Sequence, residues 1–257
     1  MDETYQIYLN RVMRLTLPTT HSTQLQNIQE SPKFSQGKPT PFPGYSIISP
    51  IVESDTVHVE LYQYLKDYQQ QLLPQVESGL IVPVPATSFH FTLADLIWEN
   101  AYRDAIEENY DFEQQLYECI SSSFQEYQQS IDTKRPLYWQ LLGLIIRPRS
   151  IGVCLVPKDE ASYNHLAQLR RFVYQNPGLI ALGIEQQYHF TAHITLGYFS
   201  NIPTDLNRDR LTTTLATLNE KYVDEKAPTL TIKEAKLLKF DDMTNFYQPT
   251  AAPILEF

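Results

Sequence analysis

His90-Phe91-Thr92-Leu93 and His193-Ile194-Thr195-Leu196 repeat one pattern, a histidine, an apolar residue, a threonine and a leucine, in the two halves of the chain. Alternate side chains of a β-strand point to opposite faces. In each unit the histidine and the threonine therefore share one face, and the two apolar residues share the other. The sequence predicts two strands, each with an imidazole and a hydroxyl side by side on one face and two apolar side chains packed in the core on the other.

The segments around these strands follow one order in each half: a strand, a helix, then the histidine-bearing strand. In the first half, apolar periodicity and turn residues predict strands at 45–49 (ended by Pro50), 80–82 and 88–93, and helices at 56–73 and 98–130. The inward stripe predicted for the last helical region is Tyr102, Ile106, Phe112, Leu116 and Ile120. In the second half, the same signals predict strands at 138–146, 151–156, 189–199 and 229–240, and helices at 159–175 and 205–222. This mixed order favours an α+β fold over a doubly wound parallel sheet.

Residues 1–44 are predicted to form an extension ahead of a main domain at 45–257. Thr4 can cap a short helix, and a run of prolines and glycines then marks a loop. The aromatic residues of this segment predict that it packs on the domain.

Composition limits the functional classes. The 257 residues are 42% hydrophobic, which is enough for a sizeable core, and the formal net charge is −10. An acidic chain repels polyphosphate at long range, so binding along a nucleic-acid duplex is disfavoured, whereas a small anion held by a few close donors is not.

Targeting and redox signals favour a cytoplasmic protein. The start of the chain has no basic run leading into an apolar stretch, so no signal peptide is predicted. No window approaches about 18 consecutive apolar residues, so no membrane span is expected. The two cysteines are too few for a disulfide framework and are expected to be reduced core thiols.

Two histidine–threonine units that face each other supply what in-line displacement at phosphorus needs. One neutral imidazole accepts a proton from the attacking oxygen, and the opposite imidazolium donates a proton to the leaving oxygen. The threonine hydroxyls can donate to the non-bridging oxygens, where charge accumulates. The arrangement requires neither a metal nor another cofactor, and it leaves open which histidine is the base.

The motifs resemble the 2H phosphoesterase superfamily, which includes 2′,3′-cyclic phosphodiesterases and 2′-5′ RNA ligase-like enzymes. The closer similarity is to a poorly characterised bacterial and fungal branch. The segments that carry it are Ser31-Pro32-Lys33-Phe34, Pro41-Phe42-Pro43-Gly44, Ser88-Phe89-His90-Phe91-Thr92 with Asp95, and His193-Ile194-Thr195-Leu196-Gly197-Tyr198. The resemblance implies a bilobal fold of two pseudo-symmetric antiparallel sheets with outer helices and a central cleft. It also implies that His90 and His193 are the acid/base pair and that Thr92 and Thr195 bind phosphate.

Two positions depart from that pattern. Gly197-Tyr198 stands where some members carry a basic residue after the second motif, so the phosphate charge must be met differently. Asp95 is flanked by Ala94 and Leu96 where the branch often has a Phe-Asp/Glu-Gly run.

Several residues near the motifs have alternative readings. His189-Phe190-Thr191 is a third His-x-Thr, and His189 is expected to flank the cleft. Glu185, His189 and His193 have the spacing of helical zinc ligands, but the surrounding residues favour a strand. Four aromatic residues could stack on a base or are core aromatics: Tyr45, Trp98, Tyr138 and Tyr198. The candidates for substrate binding are Tyr45, Tyr198 and His189. Arg147 and Arg149 form a solvated turn or lie at the mouth of the cleft.

The sequence thus predicts a metal-independent phosphoesterase acting on a small phosphodiester, either a 2′,3′-cyclic nucleotide or a cyclic phosphate at an RNA 3′ end. One alternative is a ligase or transesterase on RNA ends. The other is a non-catalytic sensor that binds a nucleotide in the same cleft.

Overall fold

The computed structural model describes residues 3–49, 57–224 and 227–257. Three parts of the sequence predictions lie outside the described residues: the first two residues of the extension, Met1 and Asp2; Pro50, which was expected to end the first strand; and position 56, the expected start of a helix. The helices are α1 (Tyr5–Leu15), α2 (Pro18–Leu25), α3 (Val59–Leu72), α4 (Glu99–Glu108), α5 (Phe112–Ser130), α6 (Glu160–Tyr174), α7 (Pro177–Ala181) and α8 (Arg208–Asp224). The strands are β1 (Phe34–Ser35), β2 (Lys38–Pro39), β3 (Gly44–Ile48), β4 (Ile81–Pro83), β5 (Thr92–Trp98), β6 (Leu137–Arg147), β7 (Ser150–Pro157), β8 (His193–Phe199), β9 (Thr229–Ile232), β10 (Glu234–Phe240), β11 (Phe246–Tyr247) and β12 (Ile254–Glu256).

The strands of the described residues form two larger sheets and one small hairpin. The first sheet has the order β11-β10-β3-β5, with β12 also pairing with β10, and the second has the order β4-β8-β7-β6-β9. Every pairing is antiparallel. The predicted α+β fold with two antiparallel sheets is confirmed, and the histidine-bearing strands β5 and β8 lie in different sheets.

Helices pack against both sheets through apolar stripes. In α5 the side chains of Phe112, Leu116, Ile120, Phe124 and Tyr127 are buried at the spacing of one helix face. Helix α6 contacts both β6 of the second sheet and β5 of the first. Helix α1 buries Tyr8 and Val12, and the Tyr8 ring meets Trp139 of β6 edge-on at 6.5 Å. The first segment of the chain therefore contributes to the core, while a domain boundary at residue 44 stays a prediction.

The predicted helix at 98–130 is wrong in one respect, because the chain turns at 109–111 between α4 and α5. The Asn109 side-chain oxygen accepts a hydrogen bond from the Asp111 backbone N–H at 3.0 Å, which competes with the helical pattern. Ile106 is 41% exposed instead of facing inward.

Both histidine-bearing strands begin later than predicted. Residues 86–88 form a 3-10 turn in place of the start of a strand, and the Ser88 N–H donates to the Pro85 carbonyl at 2.9 Å. His90 consequently lies in an extended segment just before β5, and His193 is the first residue of β8. In the part of the chain that the structure describes, no helix is long and apolar enough to cross a membrane.

Candidate active site

The two histidine–threonine units line one cavity of about 360 Å³, to which β5 of the first sheet and β8 of the second contribute. His90, Thr92, His193 and Thr195 all have side chains on its wall. The apolar partners of each unit point the other way, into the core, as strand alternation predicts: Phe91, Leu93, Ile194 and Leu196 are at most 1% exposed.

Both imidazoles are held by the same local hydrogen bond. His90 Nδ1 lies 2.7 Å from the Ser88 carbonyl oxygen, and His193 Nδ1 lies 2.8 Å from the Thr191 carbonyl oxygen. A carbonyl can only accept, so Nδ1 carries the proton in each ring. In the neutral form of each histidine, Nε2 is therefore the ring nitrogen that can accept a proton.

The two histidines differ in their charged neighbours. Arg147 Nη1 lies 2.7 Å from His193 Nε2 and donates to it. Burial and the positive charge of Arg147 lower the pKa of His193 to about 3. His193 is thus held neutral, as a general base requires.

His90 has a more balanced environment. Burial lowers its pKa, whereas the hydrogen bond to Ser88 and the negative charge of Asp95 act in the opposite direction. Its ring packs on Phe246 with the centroids 4.4 Å apart. Of the two histidines, His90 is therefore the one whose protonated form has an anionic neighbour.

Two β-bulges decide which residues of β5 line the cleft. Thr92, Asp95 and Trp98 face the cavity, three positions apart, instead of the alternate residues that a regular strand would present. The register of β5 against β3 shifts once between Thr92 and Asp95 and once between Asp95 and Trp98. An extra residue in each bulge changes the face that follows it. Simple alternation therefore could not decide whether Trp98 stacks on a base or lies in the core, and it gave Asp95 no definite place.

A third bulge acts in the same way on the second sheet. The pairing of β7 with β8 shifts between Ile151 and Gly152, so Thr195 and Tyr198 both reach the cavity. A Cβ on Gly152 would lie 2.6 Å from the Ile194 carbonyl oxygen, so only glycine permits this close approach. Tyr198 occupies the cleft, where it was expected as a substrate-binding residue.

Positive charge enters the cleft from outside the two motifs. The cavity is lined by the cations Lys33, Arg147 and Arg149, against the anions Asp95 and Glu99. Lys33 Nζ lies over the rings of Phe42 at 4.6 Å and of Tyr198 at 5.2 Å. Lys33 and Arg147 thus supply the positive charge that a basic residue in place of Gly197-Tyr198 would provide. The cleft therefore contains cations although the chain as a whole is acidic. From the sequence, Arg147 could lie either in a solvated turn or at the mouth of the cleft, and Lys33 was named only as part of a segment that resembles the family.

The structure places Tyr45 away from the cleft, which corrects its proposed role in substrate binding. Tyr45 is fully buried on the opposite face of β3 from Ser46, which lines the cavity. Its hydroxyl donates to Glu113 Oε1 at 3.0 Å and lies 2.8 Å from the Tyr117 hydroxyl. Burial raises the pKa of Tyr45. Tyr45 joins the first sheet to α5.

His189 does not line the cavity, whereas its neighbour Tyr188 does, so a part of His189 in substrate binding stays a prediction. His189 is exposed in the non-helical segment between α7 and β8, while Tyr188 lines the cavity and its hydroxyl donates to Asp95 Oδ2. Residues 185, 189 and 193 therefore do not lie on a helix, which their spacing would require for them to bind one zinc ion. Among the described residues, no group of three His, Cys, Asp or Glu side chains is placed to hold a metal ion.

A known family model matches the part of the chain that contains the first histidine–threonine unit. Residues 33–126 match the family model 2H-phosphodiest, described as a domain of unknown function (DUF1868). The predicted 2H resemblance is confirmed. The match includes Lys33, His90 and Thr92 and ends before the second 2H motif. No curated protein matches the chain significantly.

Solved structures align with this chain at low sequence identity. A conserved protein of unknown function, ATU0111 from Agrobacterium tumefaciens, aligns with a TM-score of 0.57 and 17% identity, over 85% of this chain and 90% of that one. TT0787 of Thermus thermophilus aligns with a TM-score of 0.43 and 16% identity, over 83% and 94%. E. coli LigT complexed with 3′-AMP aligns with a TM-score of 0.44 and 14% identity, over 84% and 99%. The first of these likenesses shows that the fold is shared.

The family match supports a phosphodiesterase-type activity, and the geometry of the 2H cleft is compatible with it. Two imidazoles and two threonine hydroxyls line one cavity, the charge of Lys33 acts on both rings, and Arg147 donates to the ring of His193. Such a site can move protons at an anionic centre.

Proposed function

We propose that this protein is a phosphoesterase that opens a small phosphodiester, with 2′,3′-cyclic nucleotides as the substrate class, by acid/base catalysis at His90 and His193. The observation that carries the proposal is the matched anchoring of the two rings. Each Nδ1 donates to the carbonyl two residues earlier, so Nε2 is the acceptor nitrogen of each ring at the same cavity, and Arg147 Nη1 donates to that of His193.

The electrostatic asymmetry assigns the two roles. His193, kept neutral by burial and Arg147, accepts the proton of the attacking water. The water oxygen forms a bond to phosphorus as the bond to the ribose 2′ or 3′ oxygen breaks. Burial lowers the pKa of His90 in the free protein, while Asp95 and the arriving phosphate charge favour its cationic form, which donates its proton to that leaving oxygen. Proton transfer is balanced, and no cofactor is part of the scheme.

The phosphate group is bound by hydroxyls and by mobile cations. Thr92 and Thr195 donate to its non-bridging oxygens, and Lys33 approaches from the first segment of the chain. The Arg147 guanidinium transfers from His193 to the phosphate, because a fork of donors pairs better with an anion than with a neutral ring. Its departure and the arriving negative charge both raise the pKa of His193, which strengthens the base when substrate is present.

Hydrolysis of 2′,3′-cyclic AMP, GMP, CMP and UMP in the presence of EDTA tests the proposal. We expect the wild type to form a nucleoside monophosphate and His90→Ala and His193→Ala to lose a factor of about 10² to 10⁴ in kcat. His189→Ala is the matched control, because it removes an exposed histidine beside the cleft and should keep full activity.

Three outcomes would contradict this scheme. Loss of activity in EDTA would mean that a metal takes part. Joining of RNA ends without hydrolysis would indicate a ligase that runs the same proton transfers in reverse. A wild type that binds nucleotide without turnover would indicate a sensor.

A further inference from the structure

Trp98 and Glu99 line a corner of the cleft where β5 passes into α4, four steps of β3 from the level of Thr92. We propose that this corner binds the nucleobase of the substrate and selects guanine. The inference rests on the proposed function for its reaction, but it assigns a binding subsite that can be tested without turnover.

The spacing along the cleft fits one nucleotide. Thr92 pairs with Ile48 and Trp98 pairs with Gly44, so the two cleft residues are separated by four steps of β3. At the rise of a strand this is about 13 Å, against about 20 Å for the six steps of an unbulged β5. The bulges thus bring the corner within reach of a base whose phosphate lies at Thr92.

The residue between these two ends suits a ribose. Asp95 pairs with Ser46, midway along the same stretch, and both side chains line the cavity. The carboxylate of Asp95 accepts a hydrogen bond from the Tyr188 hydroxyl. Phosphate, sugar and base then correspond to Thr92, Asp95 and Trp98, in the order in which they occur along a nucleotide.

The corner is built at a cost in backbone conformation. Glu99 has a φ of +54°, in the left-handed region that a non-glycine residue rarely occupies. Its backbone N–H donates to the Pro43 carbonyl at 2.7 Å, which fixes this geometry. Strain of this kind is kept where it serves a purpose, and here the Glu99 side chain lines the cavity.

The Pro41-Phe42-Pro43-Gly44 segment supports the same corner. A Cβ at Gly44 would lie 2.3 Å from the Ile97 carbonyl oxygen and 2.8 Å from Trp98 Cα, so only glycine lets the two strands approach this closely. Pro43 holds Glu99, as described above, and Phe42 lines the cavity. This landmark of the sequence therefore has a structural role at the proposed base site.

The chemistry of the corner selects among the bases. Trp98 offers an aromatic surface on which any base can stack. An ionised glutamate only accepts hydrogen bonds. Guanine presents two adjacent donors, N1–H and the 2-amino group, whereas adenine, cytosine and uracil each place an acceptor next to a donor. A carboxylate can therefore pair in a bidentate way with guanine alone.

Binding of the nucleoside 3′-monophosphates, measured by calorimetry, tests the inference on the intact protein. We expect guanosine 3′-monophosphate to bind roughly tenfold or more tightly than the adenosine compound, with the inosine compound, which lacks the 2-amino group, in between. Glu99→Gln should abolish this order and leave competition by inorganic phosphate unchanged. Trp98→Phe, which keeps an aromatic surface, should weaken all bases alike.

Glu107→Gln is the matched control, because it removes the same charge from an exposed position on the same helix. Equal affinity for all bases in the wild type, or a guanine preference that survives Glu99→Gln, would overturn the base site. If guanosine monophosphate binds in a Glu99-dependent way but no cyclic nucleotide is hydrolysed, the proposed reaction fails and the base site stands.

Discussion

Arg147 Nη1 donates to His193 Nε2 at 2.7 Å, while Nδ1 of the same ring donates to the Thr191 carbonyl at 2.8 Å. Both ring nitrogens are thus engaged, and an accepting Nε2 requires the neutral imidazole. Arg147 leaves β6 at the hairpin to β7, so a residue distant in sequence sets the protonation state of the histidine on β8.

Replacing Arg147 should therefore change the titration of His193. In Arg147→Met the positive charge and the donor are both lost, and we expect the pKa of His193 to rise from its lowered value, as followed by the NMR shifts of its ring. Affinity for inorganic phosphate should fall at the same time. Arg149→Met, which removes a charge from the same hairpin at a residue whose guanidinium donates to Gln29, is the control for the titration. A His193 pKa that does not move would show that burial alone holds it down.

The stability of the protein should fall in acid because of His193. Its pKa is about 3 in the folded protein, against an ordinary 6.5, so the unfolded chain takes up a proton that the folded chain refuses. The free energy of unfolding should decrease as the pH falls from 6.5 towards 3, by at most about 1.4 kcal/mol per pH unit for one group. The lowered pKa of His90 acts in the same direction.

Urea unfolding of the wild type and of His193→Gln between pH 7 and pH 4 measures this effect. The variant should show a shallower decline, and His189→Gln should follow the wild type. Parallel curves for all three proteins would contradict the buried neutral state of His193.

Gly44→Ala should destabilise the protein and disturb the corner of the cleft. The added Cβ meets backbone atoms of Ile97 and Trp98, which cannot rotate away. We expect a loss of about 2–3 kcal/mol in the free energy of unfolding, together with weaker nucleotide binding. Gly183→Ala is the comparison, since its φ of +78° gives backbone strain but nothing lies within 4 Å of a Cβ there. It should lower stability and leave binding intact.

Tyr174→Phe should loosen the strand that carries Thr92 and Asp95. β5 is at the edge of its sheet, and α6 satisfies its outer carbonyls: Arg170 Nη1 donates to Leu93 O at 2.5 Å, and the Tyr174 hydroxyl donates to Asp95 O at 2.8 Å. Removing the hydroxyl leaves the partly buried Asp95 carbonyl without this donor, which should lower the free energy of unfolding by about 1–2 kcal/mol. We expect that loss in urea unfolding and a several-fold drop in kcat/KM.

Tyr110→Phe provides the baseline for this substitution, because Tyr110 is fully exposed. If Tyr174→Phe has the stability and the kinetics of Tyr110→Phe, the α6 side chains do not position β5.

The residues that the sequence could predict are those governed by local periodicity. Alternation within His90-Phe91-Thr92-Leu93 correctly placed two side chains in the core and two outside it, because three or four residues follow the strand rule before any bulge intervenes. The α+β fold class could be predicted for the same reason, since apolar stripes with helix and strand periods are written in the chain itself.

Tertiary structure decided the residues that depend on pairing between distant segments. The bulges that place Asp95 and Trp98 in the cleft arise from the register of β5 against β3, and no local pattern encodes it. Tyr45 turned away from the cleft because its hydroxyl is bound by α5. The sequence by itself determined a pair of aimed imidazoles and hydroxyls. Which histidine is held neutral depends on Arg147, since an ion's effect on a pKa falls with distance and only the folded chain sets that distance.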